Sequence, residues 1–253
     1  MAKRFLLPLL LVALLFPAHY GNDKFVIAVL QYDGRWDTRL HSIGGLALQI
    51  MSSTSVDLPV RAKTLRLSDE DLFYYPFLMM TGDRAFSPFS EAERRRLRLY
   101  LESGGFLFID NSSGEKGGEF DRCVRRELQV LFPDKPLSIL PGDHTLYRSF
   151  YLNRKSYFGG RLNTAPYLEG ITMNDVTPVI YSLNDAAGAW EKNEKNGEYR
   201  YDVIPGGEAQ RHEAFKLGTN LVMYALTVNY KKDAVHVQTL LKRGRFRSLP
   251  WTP

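Results

Sequence analysis

The chain has 253 residues, of which 44% are hydrophobic and 13% aromatic, and a formal net charge of +5. That length and apolar content suit one large α/β domain, or one with an appendage, and exclude a wholly disordered chain. Without Lys3, Arg4 and the stretch from Lys231, which holds six basic residues against Asp233, the body is left at a net charge of −2, so no nucleic-acid partner is expected.

The first residues carry a targeting pattern. Lys3 and Arg4 precede a short apolar run from Phe5 to Phe16, too short to span a bilayer comfortably. Residues 1–21 are therefore expected to be a signal peptide, or an uncleaved amino-terminal anchor, because Phe16 stands where a cleavage motif ending at Ala18 prefers a small residue. The absence of a cysteine after this run argues against a lipoprotein. The domain is expected over 22–230, followed by a basic tail over 231–253. A periplasmic or otherwise exported protein follows, with the leader or the tail offering contact with a membrane surface.

Short apolar runs alternate with helical patterns. Val26 to Leu30 reads as a buried strand, and after the turn Gly34-Arg35-Trp36-Asp37, residues Leu40, Ile43, Gly44, Ala47 and Ile50 recur at helical spacing. Val60 to Leu67 is predicted as a strand near a sheet edge, and Ser68 to Asp71 as a short helical turn. Pro76 to Met80 is the third strand. Ser90 with Glu93 makes a capping box for the next helix, and Gly104-Gly105 ends it before the strand Phe106 to Ile109. Phe120, Cys123, Val124, Leu128 and Leu131 mark another helix, stopped before Pro133. Cys123, the single cysteine, is expected to be a small core residue. The stretch from Pro136 to Arg200 reads as loop-rich elaboration over the carboxyl edge of the sheet, apart from the run Val179 to Tyr181. A final helix is predicted from about Glu208 to Thr227. The fold class is α/β, with a mostly parallel central sheet and helices on both faces, of flavodoxin or amidotransferase type.

Four of the apolar runs end on acidic or amide groups: Asp33, Asp83, Asp110, and the pair Asn184-Asp185. In open α/β sheets the ligand crevice lies outside the carboxyl ends of the strands, so these residues mark the expected site.

Several blocks then appear in a fixed order. They are Tyr74-Tyr75-Pro76-Phe77-Leu78-Met79-Met80-Thr81-Gly82, Leu97-x-x-Tyr100-Leu101-x-x-Gly104-Gly105-Phe106-Leu107-x-x-Asp110, Leu131-Phe132-Pro133-Asp134, Asp143-His144-x-x-Tyr147, Leu168-Glu169-Gly170 and Lys216-Leu217-Gly218-x-Asn220. From about Phe25 to Tyr230 the chain thereby resembles the bacterial unknown-function domain family 4159. The resemblance implies a fold similar to class I glutamine amidotransferases and ThuA-like proteins, and no established reaction. Those enzymes need a cysteine on the sharp turn after the strand that corresponds to Phe106 to Ile109. Here the turn reads Asp110-Asn111-Ser112-Ser113-Gly114, and Cys123 comes too late to replace the thiol.

The candidate ligand-binding residues are Asp33, Trp36, Asp83, Asp110, Asn111, Asp143, His144 and Asp185, with Asp110, His144 and Asp185 as catalytic candidates and Asp33 and Asp110 as candidates for a divalent cation. Hard cations prefer carboxylate oxygens, and an imidazole beside Asp143 suits a general base near neutral pH. Ser112 or Ser113 could serve as a hydroxyl nucleophile with His144 as base and Asp143 or Asp185 as its orienter, though no G-x-S-x-G spacing supports it. Tyr32, Trp36, Tyr147, Tyr151, Tyr157 and Trp190 suggest instead an aromatic cleft for a sugar or peptide ligand. The favoured expectation is a non-catalytic envelope protein that binds a small molecule or a protein partner, with no cofactor. The alternative is a hydrolase, metal-assisted in one form, acting on a carbohydrate or peptide-type envelope substrate.

Overall fold

The computed structural model describes residues 25–153 and 159–242, with side chains as far as residue 227. The leader, Tyr157 and the end of the tail lie outside the described residues. Seven strands form one sheet: β1 (Ile27–Leu30), β2 (Lys63–Leu65), β3 (Phe77–Gly82), β4 (Phe106–Asn111), β5 (Ser138–Ile139), β6 (Glu169–Met173) and β7 (Val176–Ser182). Their order is β2-β1-β3-β4-β7-β6-β5. β2, β1, β3, β4 and β7 run parallel, while β6 and β5 add antiparallel strands beyond β7. The parallel part has the strand order of a doubly wound flavodoxin-type sheet.

The strands read as continuous apolar runs because both faces are covered. On one face Ile27, Val29, Phe77, Met79, Phe106, Phe108 and Ile180 meet α1 (Ser42–Ser53), α4 (Ala186–Trp190) and α5 (Gly207–Lys242). On the other, Ala28, Leu30, Leu78, Met80, Leu107, Ile109 and Tyr181 meet α2 (Glu91–Glu102) and α3 (Glu119–Leu131). Alternate residues of one strand thus serve opposite layers. The capping box at the start of α2 is present: the Ser90 hydroxyl accepts from Glu93 N, and Glu93 accepts from Ser90 N. Gly104 adopts φ +114° as the chain leaves that helix. Cys123 is buried on α3, its thiol 3.7 Å from the Phe86 carbonyl.

Two expectations need correction. The stretch 136–200 is loop-rich, but it does not lie wholly over the carboxyl edge: it also contains the β6–β7 hairpin and β5, which widen the sheet sideways. The hairpin was hard to see because its turn is Asn174-Asp175, both at positive φ, rather than a glycine pair. The last helix runs past its predicted end at about Thr227, since α5 continues to Lys242. No helix among the described residues is long and apolar enough to cross a membrane.

The helical layer on the first face turns on Trp190, whose indole N–H donates to the Ala214 carbonyl at 2.8 Å. A Cβ on Gly45 would lie 2.1 Å from the Trp190 carbonyl oxygen, so α1 can pass this close only with glycine there. Gly45→Ala is therefore expected to cost about 1–3 kcal/mol, the range for overpacking against atoms that cannot move aside. A urea melt of Gly45→Ala against wild type measures it.

Candidate functional site

β1 is the switch point of the sheet, since the chain leaves it for β2 on one side and pairs it with β3 on the other. A ligand crevice is expected there. The loop after β1 fills it instead. The buried Tyr32 hydroxyl donates to the Thr81 carbonyl at 2.8 Å, and the Thr81 hydroxyl donates to the Trp36 carbonyl at 3.1 Å. Thr38 Oγ1 lies 3.1 Å from Thr81 Oγ1 and 3.0 Å from Ser112 Oγ, so one hydroxyl joins the ends of β3 and β4. Across the mouth, the exposed Arg35 pairs with Asp83 at 2.8 Å. Trp36 is half-buried against both cores.

The polar centre of this edge is Asp185, fully buried at the amino end of α4 with φ 52° and ψ 54°. A left-handed backbone is uncommon outside glycine, although Asp and Asn adopt it more readily than other residues. The carboxylate is clamped from two sides. Arg39, from the loop after β1, reaches both oxygens at 2.8 Å with Nε and Nη2. Arg161 donates through Nε, and Gly188 N donates at 3.1 Å. Arg161 is brought there by the strap that crosses the end of β7, where Arg161 N donates to the Asp185 carbonyl and Leu162 N to the Asn184 carbonyl, both at 2.9 Å. The strap lies so close that a Cβ on Gly160 would sit 2.1 Å from the Asn184 carbonyl oxygen. Tyr201 stacks over this pair, with Arg39 at 4.4 Å from its ring centre and Arg161 and Arg200 each at 5.8 Å.

Asp110 ends β4 beside this group and is also fully buried. Its two oxygens accept from Ala186 N at 3.0 Å and Ala187 N at 2.8 Å, which ties β4 to the start of α4. Burial first, and then the neighbouring Asp185 carboxylate, raise its pKa to about 7, against the pull of those N–H groups and of the Ser182 hydroxyl. Glu191, just past α4, is raised as well by burial; one oxygen accepts from Arg200 at 3.1 Å and the other has no partner among the described residues.

The structure brings Asp110, Asn111 and Asp185 together, places Trp36 and Asp83 at the mouth of the same edge, and leaves Asp33, Asp143 and His144 apart. Asn111 shapes the turn: its side-chain oxygen accepts from Ser113 N and Ser113 Oγ, and its amide donates to the Glu115 carbonyl. Asp33 is exposed in the loop after β1, and β3 lies between β1 and β4, roughly 10 Å of sheet. Asp33 and Asp110 therefore do not form the expected cation pair, and no group of three or more His, Cys, Asp or Glu among the described residues is placed to hold a metal ion. Asp143 is exposed, and His144 lies at the opposite edge of the sheet, where its Nε2 is 2.9 Å from Thr177 Oγ1. Thr177 stands near the start of β7, whereas Ser182, at its end, pairs with Asp110. Roughly 16 Å of strand separates the two. Burial pushes the His144 imidazole below its usual value, which suits a neutral residue packed on Tyr147 and Tyr224. The Ser–His arrangement is corrected on this ground. Trp190 and Tyr147 are buried core residues, not cleft aromatics.

Arg39, Arg161, Thr38, Tyr201 and Glu191 were not anticipated. One signal pointed to the arginines: Asp185 precedes the apolar run Ala186 to Trp190, and a carboxylate buried by such a run requires a cation.

A family model described as domain of unknown function (DUF4159) matches residues 26–226. The chain belongs to the DUF4159 family. The matched span covers all seven strands and the whole Arg39–Asp185–Arg161 clamp, so the polar edge of the sheet is part of the DUF4159 domain itself. No curated protein matches the chain.

Asp185→Asn is expected to destabilise the fold by about 3–5 kcal/mol, because it leaves two guanidinium groups without their carboxylate. Arg161→Ala should cost less, as that side chain is 22% exposed. Urea unfolding measures both. Asp110 predicts a pH dependence of the opposite sense to an ion-paired acid. Its folded pKa lies above the unfolded value of 3.8, so the folded state holds the proton more tightly, and its contribution to stability falls as pH rises from 3.8 to about 7. Asp110→Asn loses one N–H acceptor, worth about 1–3 kcal/mol. The variant should melt well below wild type near about pH 5, with the gap narrowing by about pH 8 as wild type loses its proton.

Proposed function

We propose that the chain is an exported cell-envelope domain that binds a small molecule or a protein partner and carries out no hydrolysis of its own, on a scaffold related to class I glutamine amidotransferases and ThuA-like proteins. The observation that supports the non-catalytic reading is the turn after β4. It has no thiol, and both of its hydroxyls are engaged: Ser112 with Thr38, and Ser113 as donor to Asn111 at 2.8 Å. The backbone N–H groups that would face an oxyanion are engaged too, Ser112 N with the Gly82 carbonyl at 2.8 Å and Ser113 N with Asn111 at 3.0 Å. A nucleophile needs a base within hydrogen-bond reach and free donors for the developing charge. Neither is placed beside these serines among the described residues. The export part rests on the Lys3, Arg4 and Phe5 to Phe16 pattern, and membrane-surface contact on the leader and the basic tail.

A fluorophosphonate probe, which labels activated serines, is expected to leave Ser112 and Ser113 unmodified under conditions that label a serine hydrolase. Modification of either at a stoichiometric level would overturn the non-catalytic reading. Cell fractionation is expected to find the chain outside the cytoplasm, and a cytosolic full-length chain with its first residues intact would overturn the export reading.

A further inference from the structure

One cavity among the described residues lies away from the carboxyl edge. It is a trough of about 520 Å³ on the flank of the sheet, between α1, the approach to β2 and the segment 192–197. Its apolar wall is made by Leu40, Leu48, Val60 and Ala62, with Gly44 and Gly45 at the floor. Leu48 is 54% exposed and Val60 47%, so two large aliphatic side chains face this space uncovered. A second cavity of about 340 Å³ shares His41, Lys192, Asn193 and Glu194 with the first and adds Lys195 and Arg200. The apolar trough therefore opens into an annex that is ionic.

The charges of the annex are unequal. Glu194 is taken by His41 at 3.1 Å, and Glu191, behind Arg200, accepts from it at 3.1 Å. Lys192 lies over the Tyr199 ring at 4.8 Å, and Lys195 has no acidic partner among the described residues. Arg61, on the rim of the trough, has none either. Lys192, Lys195 and Arg200 in the annex thus outnumber Glu194, the carboxylate that lines it, and an apolar trough of this size falls within the range of small-molecule sites.

We propose that the trough and its annex bind an amphiphilic organic anion, with its apolar body against Leu40, Leu48, Val60 and Ala62 and its anionic head beside Lys192, Lys195 and Arg200. The inference rests on the reading of the chain as a binding domain and places the ligand on the flank of the sheet. The two halves of the site explain each other: the aliphatic wall gains from covering its exposed area, and the annex selects the sign of the head group.

Isothermal titration of the purified chain with decanoate, decanol and decyltrimethylammonium, all below their micelle concentrations, tests it. Saturable decanoate binding is expected, with decanol and the cation each weaker by about tenfold or more. Lys195→Glu and Leu48→Glu alter exposed side chains, and their folding is checked directly by thermal melting. Each should lower decanoate affinity by about tenfold. Absence of saturable decanoate binding, equal affinity for the cation, or unchanged affinity in both folded variants would overturn the proposal. None of these results bears on Ser112 and Ser113, so the fluorophosphonate outcome stands separately.

Discussion

A single carboxylate governs the upper edge of this molecule. Asp185 is fully buried, and an ionised carboxylate taken out of water costs several kcal/mol unless cations and hydrogen-bond donors replace the solvent. The replacement here is Arg39 from one side, Arg161 from the other and the Gly188 amide below. Each donor comes from a different part of the chain. Satisfying one charge therefore fixes the loop after β1, the strap across the end of β7 and the first turn of α4 at once. The left-handed backbone of Asp185 stands at the same point, where the chain enters α4.

This constraint also explains why the crevice expected from the topology is not open. The loop after β1 is held inward by Arg39, and Thr38 then joins the ends of β3 and β4 through their hydroxyls. Asp110 sits next to the clamp but serves a different need: it supplies acceptors to the amides that begin α4. Acids that look like a converging catalytic set in the sequence are thus divided between a buried ion cluster, an amide anchor and two exposed loops. Apolar surface is left uncovered at the side of the sheet, where α1 and the approach to β2 stand apart.

The layers of the fold were legible because the parallel strands are mostly short apolar runs and α2 and α3 have their own start or stop: Ser90 with Glu93, Gly104, and the halt before Pro133. The helix over Glu119–Leu131 falls where its apolar spacing put it. The β6–β7 hairpin was not, since Asn174-Asp175 gives a weak turn signal and its strands are separated from the rest by irregular chain. At the site, the positions of Asp110 and Asp185 followed from strand ends, which are local features. Their partners did not. Arg39 and Arg161 reach Asp185 from residues far away in the chain, and a surface arginine and a clamping arginine look alike in a sequence. His144 misled for the same reason: its neighbour Asp143 is local, but the edge of the sheet on which it lies depends on how the 136–200 stretch threads past β7.

The two borders of the sheet are short, three residues in β2 and two in β5. Unpaired strand edges are templates on which a second chain can add its own strand, and long flat edges invite this most. Here a neighbouring molecule finds too few successive backbone groups to build a stable ladder, even though Ile139 is exposed at one end. The molecule can therefore keep a broad apolar sheet of seven strands and still resist joining copies edge to edge, leaving its side-chain surfaces as the places where association is decided.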